Sequence, residues 1–383
     1  MVTIQTAENA LKTVYLGAVT ELLNTKVNPL LTKIEQTSTD VWGKEIRRAV
    51  SYGINGGIGA GDEDYGLPEA AGNKYLQFVA GLKNLYGQIE ISDKAIQASN
   101  DAKGAFVNLL NAELQGLLDA SRFNLGRMLY GDGTGLLTTI GASSTNAYPI
   151  EKPNFLVEGL VVDIYSGNTR THNGLRISFV DHDNRTVSFE NPPSTAVAAN
   201  STLFVQGSRN REITGLGAIF GGGDIYGVSR DAHPFLTPYQ KAVNGQIDEI
   251  VIQEGIDRLE NVAGSTVDFI AVAADVKYAY QEFMGQFKRN IDIMELEGGF
   301  RTLSYNGIPL VYDRFVEDGA MYLLNTKSFK MHQLCDWRYL ENESGKILRQ
   351  AADRPTFTAT LVKYCDLICS RPNGQGKLTG ITR

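Results

Sequence analysis

The chain has 383 residues, 43% of them hydrophobic and 21% charged, with a net charge of −7 and a pI of about 5.3. At roughly 150 residues per domain that length suits two or three domains, and the composition supports an ordered core. The acidic balance argues against a protein that holds nucleic acid by neutralising phosphates. No apolar run approaches the ~20 residues of a membrane-spanning helix, and the N-terminus lacks a basic-then-apolar signal pattern. The three cysteines, Cys335, Cys365 and Cys369, are an odd count and fit a reducing compartment such as a cytoplasm.

Residues 5–36 carry a helical stripe (Leu11, Val14, Val19, Leu22, Leu23) broken at Pro29. A segment of ~30 residues cannot build its own core, so residues 1–43 are expected to form a helical arm. Residues 44–92 alternate instead, within a unit expected over 44–96. "KEIRRAVSYGI" enters and "NKYLQFVAGLKNLYGQIEISDKAI" returns, the two limbs of a long β-hairpin. Between them lies "GINGGIGAGDEDYG", from Gly53 to Gly66. A dinucleotide fingerprint running from Gly57 needs glycine at 62, which is aspartate, and Asp62, Glu63 and Asp64 would repel a pyrophosphate. Pro68 and Gly72 also bar the helix such a motif must open. The stretch reads as a flexible turn. A two-stranded hairpin is marginal in water, so this one must lie on something else.

Residues 97–149 contain the strongest helix, Asp101 to Tyr130, with Phe106, Leu109, Leu110, Leu114, Leu117, Leu118 and Met128 at helical spacing. It would span roughly 45 Å at ~1.5 Å per residue. "GDGTG" at 131–135 stops it. Residues 150–212 change character: "FLVEGLVVDIYS", "LRISFV", "TVSFEN" and "TLFVQG" are strand-like, with "DHDN" as a hairpin turn. Leu160, Val162, Ile177, Phe179, Val187 and Phe204 are the expected core of this small all-β module. In residues 213–345 a helix is expected over 238–262, a buried strand over 267–273, a second helix to about Phe287, and then strands and turns. Residues 346–383 contain a last long strand, "FTATLVKYCDLICS".

Catalytic and metal patterns are weak. The histidines at 172, 182, 233 and 332 are scattered, and an EF-hand loop beginning at Asp181 fails at Arg185 and Pro192. Cys365 and Cys369 share one face of a strand without a companion pair and read as buried small hydrophobes. "GQGKLTG" has Leu378 where a Walker motif needs Ser or Thr, and neither G-x-S-x-G nor H-E-x-x-H occurs. No catalytic residue, metal ligand or cofactor is assigned.

The layout resembles the major capsid protein of tailed bacteriophages, the Hong Kong 97-like α+β fold. The carriers are the hairpin residues 43–96 as an extended E-loop and "GAFVNLLNAELQGLLDASRFNLGRMLYGDGTG" as the P-domain spine helix. "NGIPLVYDRFVEDGAMYLLNTKSF" matches the A-domain and the closing strand matches the P-domain return. The resemblance implies a non-enzymatic virion subunit, assembled in a host bacterial cytoplasm into hexamers and pentamers around a portal, enclosing double-stranded DNA without binding it tightly. It further implies inter-subunit contacts from the E-loop, at Asn55, Asp62, Glu63, Asp64, Tyr65, Lys74 and Tyr75. The arm starts at Met1, leaving no room for the family's self-cleaved or scaffolding N-terminal domain, so a separate scaffolding protein, or a processed precursor, is expected. Residues 150–212 are an insertion in the minimal fold. Lys74 and Lys83 lie in the E-loop, but nothing matches a crosslinking partner site closely. The alternative reading is an α/β enzyme with a β accessory module and unrecognised chemistry.

Overall fold

A computed structural model describes residues 28–61, 63, 66–94, 105–143, 145–286, 293–296, 300–341, 345, 347–351 and 353–383. The stripe from Leu11 to Leu23 lies outside these residues, as do the side chains of Phe106, Leu109, Leu110 and Leu114. In chain order the first elements are α1 (Pro29–Lys33), β1 (Glu35–Thr37), β2 (Val41–Trp42), β3 (Glu45–Tyr52), β4 (Lys74–Gly81), β5 (Lys83–Ser92) and α2 (Ala105–Tyr130). Then come β6 (Leu136–Ile140), β7 (Tyr148–Pro149), β8 (Val161–Ser166), β9 (Thr169–Asp181), β10 (Thr186–Phe189) and β11 (Ser201–Val205). β12 (Tyr239–Gln246), α3 (Glu249–Ala263), β13 (Phe269–Val272), α4 (Ala274–Gln286) and β14 (Ile293–Leu296) follow. The chain ends with β15 (Phe300–Tyr305), β16 (Ile308–Tyr312), β17 (Met321–Leu324), β18 (Phe329–Tyr339), β19 (Arg349–Gln350), β20 (Thr356–Cys369) and β21 (Gly376–Thr382).

Four sheets organise these strands. The largest runs β12-β21-β17-β13-β16-β15-β14, with α3 and α4 supplied by the connections around its central strand β13. Asp248 caps α3 by accepting a hydrogen bond from Val251 N at 2.7 Å, and Gly264 ends it in the left-handed region at φ 57°. β12 corrects the expected helix over 238–262. Its burial alternates residue by residue beside the parallel strand β21, and helix begins only past Asp248. Pro29 also acts differently from expectation: it stands at the start of α1, where its missing N–H costs nothing.

β20 lies inside the second sheet. β5 pairs along one of its edges from Ser92 opposite Thr356 to Lys83 opposite Cys365, while β18 and β19 share the other edge. The helix α2 packs over β5, bringing Leu118, Leu125, Met128 and Leu129 into the core with Leu85, Ile89 and Ile91. The approach is close: a Cβ at Gly87 would lie 2.8 Å from Leu117 Cδ1. After α2 the left-handed turn residues are Gly133 and Gly135 (φ 84° and 79°), two and four positions past Gly131.

The third sheet, β6-β11-β8-β9-β10-β7, has its own core. It reaches back to Leu136, earlier in the chain than residue 150, because β6 covers the free edge of β11. Val162, Ile177 and Val187 are fully buried there, and Leu160 packs against them. Phe179 points outwards at 56% exposure, against expectation. A bulge is the reason: Ser188 pairs with Phe179 and Phe189 with Ile177, so Ser178 is extra and the parity of β9 flips. Phe204 is buried outside this cluster, edge-on to Tyr165. The buried pair Arg127–Glu212 (2.5 Å) ties the chain leaving this sheet to α2.

Two glycines of α2 separate packing from propensity. A side chain at Gly126 would meet Asn28 Oδ1 at 2.2 Å and Phe315 at 2.8 Å, whereas Gly116 faces open space. Gly126→Ala should destabilise the chain by about 1–3 kcal/mol through overpacking. Gly116→Ala should stabilise it by roughly 0.5–1 kcal/mol, as a glycine removed from an exposed helix interior. Denaturant melts of the two variants check both signs.

Candidate assembly interface

β3 and β4 pair in strict antiparallel register, from Glu45 opposite Gly81 to Tyr52 opposite Lys74. The return limb read as one piece is two strands, broken at Leu82. β4 stays in the hairpin with β3 and β2, while β5 crosses to β20. One molecule therefore holds the hairpin's root in its core and sends its far end elsewhere.

The root is anchored by apolar and aromatic contacts. Ile46 and Phe78 are fully buried, Phe78 packs on Tyr226 (5.2 Å), and Tyr52 stacks on Phe235 at 4.5 Å and 10°. Val79 N donates to Tyr226 O at 2.9 Å. The Tyr226 hydroxyl donates to Leu367 O and accepts from Cys369 N, so it connects β4 to β20. Burial raises its pKa well above the ordinary phenol value, and the group stays protonated as donor.

A histidine fixes the other side of the root. His332 Nδ1 lies 2.9 Å from Thr39 O, which can only accept, so Nδ1 carries the proton. Nε2 then accepts from Arg48 Nη1 of β3 at 3.3 Å. Burial, with the Arg48 and Lys330 charges, holds the pKa of His332 below 6.5, against the pull of Thr39 O and Asp40. In the facing register position Asp366 is pushed up to about 6 by burial, despite hydrogen bonds from Thr214 N and Oγ1 and from Leu367 N.

Beyond Tyr52 and Lys74 the limbs continue as a ribbon without ladder pairing. A side chain at Gly57 would meet Ala71 N at 3.0 Å, and one at Gly59 the Pro68 ring at 3.0 Å. Asn55 Oδ1 closes a local turn by accepting from Gly57 N. Asn55, Glu63, Lys74 and Tyr75 are all exposed, while Asp62, Asp64 and Tyr65 lie outside the described residues. Sequence reading passed over Ile54, Ile58 and Leu67, which are 82%, 73% and 95% exposed. Their signal was available: three large aliphatics stand in a polar, glycine-rich turn, and the described residues leave them uncovered. Such a strip is interface material.

Among the described residues no cluster of three or more His, Cys, Asp or Glu could hold a metal ion. His172 is occupied by Thr171 and Thr195, and His233 sits edge-on to Tyr52 and Phe235. The Asp181 carboxylate accepts from Asp183 N, Asn184 N and Asn184 Nδ2, making the 181–184 stretch a self-contained turn. Cys365 and Cys369 are buried in β20, and burial pushes both thiols up to about 12. No helix among the described residues is long and apolar enough to cross a membrane.

No family model and no curated protein matches the sequence. Solved structures do match. A chain of the cyanophage A-1(L) capsid aligns with a TM-score of 0.55 at 13% identity, over 95% of this chain and 93% of that one. The capsid of a native GTA particle aligns at 0.48 and 11% identity, over 93% and 90%. An encapsulin of Synechococcus elongatus aligns at 0.45 and 10% identity, over 93% and 89%. Over nearly its whole length this chain has the fold of a phage capsid protein.

The tautomer of His332 makes the root sensitive to acid. Its depressed pKa contributes stability that is fully present above 6.5 and is lost as the pH falls through the lower folded value. His332→Gln can keep both hydrogen bonds without titrating. The melting-temperature difference between wild type and His332→Gln should be constant above pH 7 and move against wild type as the pH falls toward 5. Thermal melts across that range check it.

Proposed function

We propose that this chain is the major capsid protein of a tailed bacteriophage, a structural subunit that assembles into hexamers and pentamers of an icosahedral head. In this reading residues 44–96 form the E-loop and 97–149 the P-domain portion with the spine helix. Residues 150–212 form an inserted β domain, 213–345 the A-domain and 346–383 the returning P-domain strand. The observation that carries the reading is a capsid fold along 95% of the chain, combined with a hairpin that leaves the core bearing uncovered aliphatics.

The physical argument runs through the ribbon. Ile54, Ile58 and Leu67 would each gain ~1.5–3 kcal/mol if fully buried. A neighbouring copy is the simplest source of cover, since repeated copies offer the same surface at fixed geometry. The acidic balance suits a wall that encloses double-stranded DNA without gripping it, because tight phosphate binding needs clustered cations. A portal at one vertex and a separate scaffolding protein complete the assembly. Asn55, Asp62, Glu63, Asp64, Tyr65, Lys74 and Tyr75 are its proposed inter-subunit contacts.

Negative-stain microscopy of the purified chain across a concentration series tests this. Rings, tubes or closed shells are expected. A compact monomer at every concentration and salt would contradict the reading and return the chain to the enzyme class.

A further inference from the structure

Lys363 stands in the middle of β20 at 1% exposure, on the same face of the sheet as its register partner Leu85 of β5. Three oxygens surround its Nζ: Asp336 Oδ1 at 2.6 Å, Gln333 Oε1 at 2.7 Å and Gln36 Oε1 at 3.1 Å. Trp337, itself buried, walls the site with its ring centre 5.9 Å from Nζ. One carboxylate balances the charge of the lysine. The carboxamides add nothing to that balance, but they bring an acyl carbon to an amine in a site sheltered from water.

The ladder between β18 and β20 is irregular at this point. Gln333 pairs with Cys365, Cys335 with Tyr364 and Arg338 with Val362, which leaves Asp336 and Trp337 as extra residues beside Lys363. Bulges of this kind re-aim side chains, and they recur next to reactive sites. Gln333 lies on the strand adjacent to β20, whereas Gln36 comes from β1, one strand further away.

We propose that Lys363 and Gln333 of one chain join in an isopeptide bond, with Asp336 carrying the protons. Asp336 takes a proton from the ammonium and leaves a neutral amine. Gln333 Cδ lies within about 4 Å of Nζ, because a C=O bond adds only ~1.2 Å to the 2.7 Å contact. That is a short approach from the ~3–3.5 Å of a near-attack arrangement. The Nζ–Cδ bond forms and the Cδ–Nε2 bond breaks. The two protons given up by Nζ pass through Asp336 to the leaving nitrogen, which departs as ammonium. Nothing is oxidised or reduced, and no co-reactant enters. The Asp336 side chain is 32% exposed, so the ammonium has a way out and the carboxylate keeps contact with water. The product replaces a buried cation with a neutral amide and removes a desolvation cost. It ties β18 to β20 within one molecule, so the inference stands apart from the capsid reading.

Intact-mass spectrometry of the full chain, after the folded protein has stood at neutral pH, tests the bond. Wild type should be lighter than its sequence by one ammonia, and tandem spectra should show a branched peptide joining Gln333 to Lys363. Lys363→Met and Gln333→Leu should keep the full mass. Asp336→Asn should form the bond on the order of a hundredfold more slowly. Wild type decides the matter without any variant having to fold. Full mass after prolonged incubation, a loss of ammonia without a branched peptide, or a branch at Gln36 would each overturn the inference. Bond formation by Asp336→Asn at the wild-type rate would overturn the role given to Asp336.

Discussion

The fold depends on β20, a strand with both edges occupied. β5 lies along one edge and β18 with β19 along the other, so the return limb of the hairpin and the long strand near the end of the chain are one structure. Almost every side chain from Leu361 to Cys369 is buried. Even its lysine is internal: Lys363 is 1% exposed and donates to Gln36, Gln333 and Asp336 at 3.1, 2.7 and 2.6 Å. A buried cation is tolerable only with such a complete set of acceptors, and these come from opposite ends of the sequence. Closing this sheet therefore joins segments as far apart in the chain as Gln36 and Lys363.

Once β5 is fixed on β20, the fate of the hairpin follows. Leu82 is the hinge where pairing changes partner, and its N–H goes to Lys44 O. β3 and β4 are then held at their base by Tyr226, Phe78, Phe235 and His332 but have no sheet beyond Tyr52 and Lys74. A free ribbon with aliphatic side chains is costly for a solitary molecule and sensible for a repeated one. The glycines at its tip remove side-chain bulk where the two limbs approach, as the close contacts at Gly57 and Gly59 indicate. At Gly57 and Gly59 the glycine-rich stretch thus lets the two limbs approach closely.

Much of this was legible in the sequence because it rests on local periodicity. The alternation in 45–52 and 74–92, the helical spacing up to Tyr130 and the long apolar run of β20 each sit on one element. Errors arose where a non-local event overrode the pattern. The bulge at Ser178 turned Phe179 outwards, and the edge of β21 drew 239–246 into a strand although helical spacing lay just beyond. The candidate interface was half legible. The glycine-rich turn with its aliphatics stands out in one line of sequence, but the pairs that anchor its root, Phe78 with Tyr226 and Arg48 with His332, are far apart in the chain and only folding unites them. The buried pair Arg127–Glu212 and the buried Asp366 had no signal at all, since nothing local marks a charge that folding will cover.

In the proposed assembly residues 53–73 are ordered by neighbouring copies rather than by their own chain. Hydrogen exchange, compared between unassembled chain and assembled particles, tests it most directly. Amides of the ribbon should exchange near the unprotected rate in the single chain and far more slowly in particles, while Ile46 and Phe78 at the root stay protected in both. Equal protection of the ribbon in the two states would contradict the account.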